Sequence, residues 1–88
     1  MELEGVSMGG ASPKDLVEFL AKSLSAHPEE VSVTEVETEG GNLSQLKVAQ
    51  SDLGRVIGRQ GRTAKAIRTL LSACGTRMKK RIVLEILE

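Results

Sequence analysis

The sequence predicts a small α+β domain, and three observations carry that prediction. Residues 13–26 place apolar side chains at helical spacing. Residues 31–50 form two β-branched or alternating runs around a glycine-rich turn. Residues 53–86 carry two more helical patterns split by a glycine loop, then an alternating apolar run. In chain order the elements read α-β-β-α-α-β.

Ahead of the first element, MELEGVSMGGAS has no periodicity and is rich in Gly and Ser. Residues 1–12 therefore read as a disordered leader and residues 13–88 as the domain. Ser12 before Pro13, with Asp15 following, is a helix-start signature. The Ser oxygen accepts from free first-turn N–H groups, and the acid meets the positive end of the helix dipole. Leu16, Leu20 and Leu24, with Val17, Phe19 and Ala21, form the apolar stripe, and the helix is expected to run to about Ala26, stopping before Pro28.

VSVTEVETE and NLSQLKVAQ, joined at Gly40-Gly41-Asn42, read as a hairpin. Their alternation slips by one residue between Val33 and Val36 and again between Leu43 and Leu46, for which a β-bulge or a later strand start would account. Glu35, Glu37 and Glu39 mark a solvated edge that resists aggregation. Ser51 or Asp52 can cap a short helix carrying Leu53, Val56 and Ile57, which the Gly58–Gly61 loop interrupts. A longer helix resumes near Arg62. Its expected buried stripe is Ile67, Leu70, Leu71 and Cys74, with Gly75 as the C-cap. RIVLEILE closes the chain as a strand with Ile82, Leu84 and Ile86 on one face and further apolar residues on the other.

Composition narrows the function. At 88 residues and 40% hydrophobic, the chain can bury one core, but its only aromatic is Phe19, so stacking on aromatic rings cannot dominate binding. Cys74 is the single cysteine, which excludes an intramolecular disulfide, and no Cys/His cluster offers a structural zinc site. No metal or other cofactor is expected. Neither a membrane span of roughly 20 apolar residues nor a signal core is present, so the expected setting is a reducing cytoplasm without membrane attachment.

Charge is more telling. The chain is neutral overall, yet residues 1–50 carry three basic and nine acidic side chains and residues 51–88 carry nine and three, giving −6 and then +6. From Arg55 to Arg81 there is no Asp or Glu at all. A basic face on a neutral protein suits a polyanion, although a solvated helix face has the same signature.

The loop itself, VIGRQGRTAKAI, sets two glycines three apart between helical patterns. It fits neither the Walker loop, which needs Lys-Ser/Thr after its last glycine, nor a G-x-G-x-x-G after a strand. What remains is helix, Gly-x-x-Gly turn, helix. There, backbone N–H groups at the start of the second helix favour an anion, and the missing side chains let a phosphodiester approach.

GRVIGRQGRTAKAIRTL resembles the I-G-x-x-G core of a KH domain, the RNA-binding module whose loop clamps about four nucleotides by their backbone. The element order is similar to the type II arrangement. Across residues 13–88 the chain most closely resembles the small bacterial single-KH proteins of the KhpA (YlqC-like) family. The resemblance implies three helices on one face of a three-stranded mixed sheet. It implies Gly58, Arg59, Gln60 and Gly61 as the clamp, with Val56 and Ile57 as the preceding apolar pair; the charge pattern adds Arg55, Arg62, Lys65 and Arg68 as the surrounding RNA-binding cations. It also implies a cytoplasmic chaperone of single-stranded RNA, paired with itself or with a KhpB (Jag/EloR)-like KH protein, that influences cell shape and envelope synthesis.

Two rivals stand beside this reading. An enzyme would need Cys74 or His27 beside a partner group, but Cys74 falls on a helix stripe and His27 beside Pro28 at a helix end, so no catalytic residue is expected. A pairing module that keeps the fold without binding RNA would use Leu70, Val83 or Leu87 as its interface; intact Arg59, Arg62 and Lys65 favour RNA.

Overall fold

The computed structural model describes residues 12–88. The expected leader lies outside these residues except for Ser12, which caps the first helix. That helix, α1, spans Pro13–Leu24. Ser12 Oγ accepts from Asp15 N at 3.2 Å and Asp15 Oδ2 accepts from Ser12 N at 3.2 Å, a reciprocal capping box. Val17 and Ala21 are fully buried, and Leu16, Leu20 and Leu24 pack at the margin of the core. Phe19 departs from the expected stripe and is 63% exposed. It lies about 200° round the helix from Val17, on the solvent side.

α1 ends two residues before Ala26 because another group takes the next amides. Asp52, 1% exposed, accepts from Ala26 N at 3.1 Å and from His27 N at 2.9 Å. The expected cap role of Asp52 is thereby replaced: its side chain ties the exit of α1 to the next helix instead of capping it. Burial pushes its pKa up, but the amides of His27 and Ala26, with the charges of His27 and Arg55, outweigh that and hold it below the ordinary value.

β1 (Ser32–Thr38) pairs antiparallel with β2 (Gly41–Lys47), and β2 pairs parallel with β3 (Arg81–Ile86), giving a mixed sheet in the order β1-β2-β3. The hairpin turn falls one residue earlier than expected, at Glu39-Gly40, with Thr38 opposite Gly41. Gly41 belongs to β2 because the backbone of Arg81 passes where its Cβ would stand, at φ 140°.

Pairing runs without interruption from Ser32–Lys47 to Thr38–Gly41, so the slipped alternation is no bulge. The composition of the inner face changes instead. Val33, Leu46 and Ile86 share one inner row, whereas Glu35 and Ser44 occupy the next with Leu84, and Asn42 follows beside Ile82. Asn42 Nδ2 donates to Glu35 Oε2 at 3.1 Å, and the fully buried Ser44 Oγ has no partner among the described residues. Val36, Leu43 and Val83 line up across the outer face.

α2 (Leu53–Ile57) and α3 (Arg62–Met78) follow β2. Val17, Leu46, Val56 and Leu71 are fully buried at the centre of the core, with Ile67 and Leu84 around them. Burying each large aliphatic side chain contributes about 1.5–3 kcal/mol. α1 and α3 pack against the sheet, and α2 packs on α3 and α1 with Val56 in the same core.

The line that α3 buries is Ala64, Ile67, Leu71 and Gly75. Cys74 is half-buried, and Leu70, expected inside, is 48% exposed because it stands about 100° from Leu71. Gly75 is not the C-cap. It sits within the helix, where a Cβ would run into the Lys80 carbonyl, and its own carbonyl accepts from Lys80 N at 2.8 Å. Together with Lys79 N donating to Thr76 O at 3.3 Å, this closes a Schellman motif whose left-handed residue is Lys79, φ 59°.

Candidate nucleic-acid interface

The loop is built from both of its ends. Gly58 N donates to Gly54 O at 2.8 Å, which completes the last turn of α2. The chain then swings through Gly58 at φ 80°, ψ 169°, a region almost confined to glycine. Gln60 at φ 58° and Gly61 at φ 74° both take left-handed conformations, and Gly61 N donates to Gly58 O at 3.1 Å. Three of the four loop residues therefore have positive φ, which holds the turn clear of the core.

The two glycines answer different demands. A Cβ at Gly58 would strike Thr63, 2.7 Å from its Cβ and 2.8 Å from its backbone N, whereas one at Gly61 would meet nothing within 4 Å. Gly58 thus seats the first turn of α3 through close approach, and Gly61 supplies only a backbone angle. Thr63 escaped the sequence reading, because nothing in its own spacing marks it as the residue beneath Gly58.

Arg59 and Gln60 are exposed at the tip, as are Arg55, Arg62, Lys65 and Arg68 around it. The expected apolar pair divides: Val56 is fully buried in the core, and Ile57 stays half-buried beside the loop. Arg55 Nε lies 3.7 Å from Asp52 Oδ1, while Arg59, Arg62, Lys65 and Arg68 form no ion pair among the described residues. Arg62 and Lys65 border a shallow depression with Ala66, Thr69 and Leu70. Arg68 stands about 9 Å further along α3 and about 120° round from Arg62. Among the described residues no side chain caps α3, although the Arg62 amide is already donated to the Arg59 carbonyl within the turn; the positive end of the helix dipole still faces the loop.

Gly54 adds a feature that the sequence offered only as the spacing GRVIG. It is exposed one turn before Gly58, with an ordinary helical backbone and nothing within 4 Å of an added Cβ. The fold does not require it, and its effect is to leave bare backbone beside the loop.

A short helix, a Gly-x-x-Gly turn and a long helix inserted between two parallel neighbouring strands, with one further helix and strand ahead, define a KH domain of the type II order. The family model described as KhpA/KhpB, KH domain, matches residues 14–86, and the chain belongs to that family. The chain is 51% identical to RNA-binding protein KhpA of Aquifex aeolicus over 75 residues, covering 85% of this chain and 95% of that protein. It is 51% identical to the protein of the same name from Clostridium acetobutylicum over 74 residues, covering 84% and 99%. A third of that name, from Borreliella burgdorferi, is 47% identical over 74 residues, covering 84% and 90%. No solved structure matches the chain. The family is one of binding modules and not of enzymes. Among the described residues no helix is long and apolar enough to cross a membrane.

Proposed function

We propose that this protein binds single-stranded RNA by gripping its sugar-phosphate backbone at Gly58, Arg59, Gln60 and Gly61. The observation that carries the reading is the exposed positive-φ loop opening onto a helix start without a side-chain cap, beside Arg59, Arg62, Lys65 and Arg68, which form no ion pair among the described residues. Arg55, Arg62 and Lys65 neutralise phosphates on either side, Arg68 extends that charge along α3, and Ile57 offers an apolar edge to a base. Relatives named RNA-binding protein KhpA support the ligand class. Replacing both tip residues, Arg59→Asp with Gln60→Asp, sets negative charge against the phosphate. Anisotropy of a labelled single-stranded RNA should then show at least a tenfold loss of affinity, with the melting temperature within a few degrees of wild type. Unchanged binding would overturn the clamp.

In the same reading the protein works in the cytoplasm as an RNA chaperone, beside a KhpB (Jag/EloR)-like KH protein, in pathways of cell shape and envelope synthesis. That part rests on the family resemblance. Pairing has its own observation, since Leu70, Val83 and Leu87 are all more than a third exposed. A homodimer or a heterodimer formed through Leu70 would join two weak RNA sites and raise avidity without new contacts. Sedimentation at micromolar concentration should show the dimer, and Leu70→Asp should dissociate it while leaving the fold intact. A monomer at every concentration, unchanged by a KhpB-like partner, would refute pairing and leave the clamp standing.

A further inference from the structure

The nine basic residues after position 50 fall into two groups separated by the length of α3. The first surrounds the Gly58–Gly61 loop. The second, Arg77, Lys79, Lys80 and Arg81, gathers at the turn from α3 into β3, and all four side chains are exposed. None forms an ion pair among the described residues. A helix C-terminus carries only about half an elementary negative charge, so one cation would satisfy it and four exceed it.

The surface between the groups is continuous and uncharged by acids. Arg62, Lys65, Thr69, Ser72 and Thr76 follow one another at three- and four-residue steps and lie within roughly 40° of a common line along the outside of α3. All five are exposed, and no Asp or Glu occurs between Asp52 and Glu85. A depression lies at each end of this line. The near one is bordered by Arg62 and Lys65, and the far one by Ser72, Thr76, Lys79, Lys80 and Arg81, with no carboxylate in either. Glu37 and Glu39 face Lys79, Lys80 and Arg81 from the hairpin, across a second cleft. Midway along the line Thr69 commits its hydroxyl proton to the carbonyl of Lys65, as Thr76 does to that of Ser72 at the far depression. The centre of the helix therefore neither repels nor grips a passing polyanion.

We infer that Arg77, Lys79, Lys80 and Arg81 form a second backbone contact for the same RNA strand, reached along the outer face of α3. This rests on the clamp reading and adds to it a footprint. Seventeen helical residues span about 25 Å, the length of roughly seven nucleotides stacked at about 3.4 Å each. A strand of four or five nucleotides fills the loop alone. A strand of a dozen or more reaches both sites.

The test compares two labelled oligouridylates, of five and fifteen nucleotides, on wild type and on Lys79→Asn with Lys80→Gln. Asparagine tolerates the left-handed backbone of Lys79, so this change removes charge without breaking the helix end. Affinity for the fifteen-mer should fall about three- to tenfold and its log–log salt slope should shrink by about 1.4, the value for two phosphates on a single strand. Affinity for the five-mer should change less than twofold. Equal weakening of both lengths, or no change in the fifteen-mer, would overturn the second contact while leaving the clamp intact. Failure of wild type to bind either length would remove the clamp reading, and this inference with it.

Discussion

Alanine at Gly58 and alanine at Gly61 should separate two kinds of strain that the sequence writes with the same letter. At Gly58 a side-chain-bearing residue must hold φ 80°, ψ 169°, a conformation costing about 1–3 kcal/mol. The added Cβ also lies 2.7 Å from Thr63 Cβ and 2.8 Å from Thr63 N. A backbone nitrogen in the first turn of a helix cannot rotate aside, so α3 must shift, at a further cost of about 1–3 kcal/mol for overpacking. Gly58→Ala should therefore lose roughly 3–4 kcal/mol. Gly61→Ala meets open space and bears only the left-handed backbone cost, about 1–2 kcal/mol. For a domain of this size each kcal/mol moves the melting temperature by about 4–8 °C. Circular dichroism melts, paired with urea titrations to confirm an unchanged denaturant slope, should place Gly58→Ala roughly 8–16 °C below Gly61→Ala, the equivalent of about 2 kcal/mol. Adding Thr63→Ala should not rescue Gly58→Ala, since the Cβ and N contacts remain. Equal melting of the two variants, or rescue by Thr63→Ala, would refute the argument.

Three further expectations follow from other sites. Because the pKa of Asp52 is lowered, its contribution is complete above the ordinary aspartate value of 3.8 and is lost as pH falls through the folded value. The melting-temperature gap between wild type and Asp52→Asn should accordingly close from pH 7 to pH 2, and a gap constant with pH would contradict the assignment. Gly54→Ala should stabilise α2 by about 0.5–1 kcal/mol and weaken RNA binding, because the new methyl fills bare backbone beside the loop; undiminished affinity would show that the ligand does not pass there. Lys79→Gly should raise stability by about 0.5–1 kcal/mol by relieving the left-handed residue of the Schellman motif, a gain readable in the same melts, and a net loss would mean that the lysine stem packs usefully.

Most of the architecture was legible because periodicity and capping are local. Ser12, Pro13 and Asp15 announced the start of α1, and Ile82, Leu84 and Ile86 declared their shared face. The errors came where a distant group decided the outcome. The end of α1 depends on Asp52, twenty-six residues from Ala26. Gly75 looked like a helix terminator but makes room for the carbonyl of Lys80, after which Lys79 ends the helix without glycine. The slipped hairpin alternation came from polar residues turned inward, which pattern alone cannot tell from a displaced strand. At the loop, spacing identified the four residues, but which glycine bears a steric load required knowing where Thr63 lies.

The inward row of Glu35, Asn42 and Ser44 gives the sheet a gradient of cohesion. At one end Val33, Leu46 and Ile86 pack apolar surface beneath the helices, while toward the hairpin the same face holds a carboxylate, an amide and a hydroxyl without a partner among the described residues. Amide hydrogens near Thr38 and Gly41 should consequently exchange through small local openings, and those around Leu46 only when the whole domain unfolds. The molecule would then breathe at the hairpin tip while Val56 and Leu71 keep the Gly58–Gly61 loop seated on its rigid half.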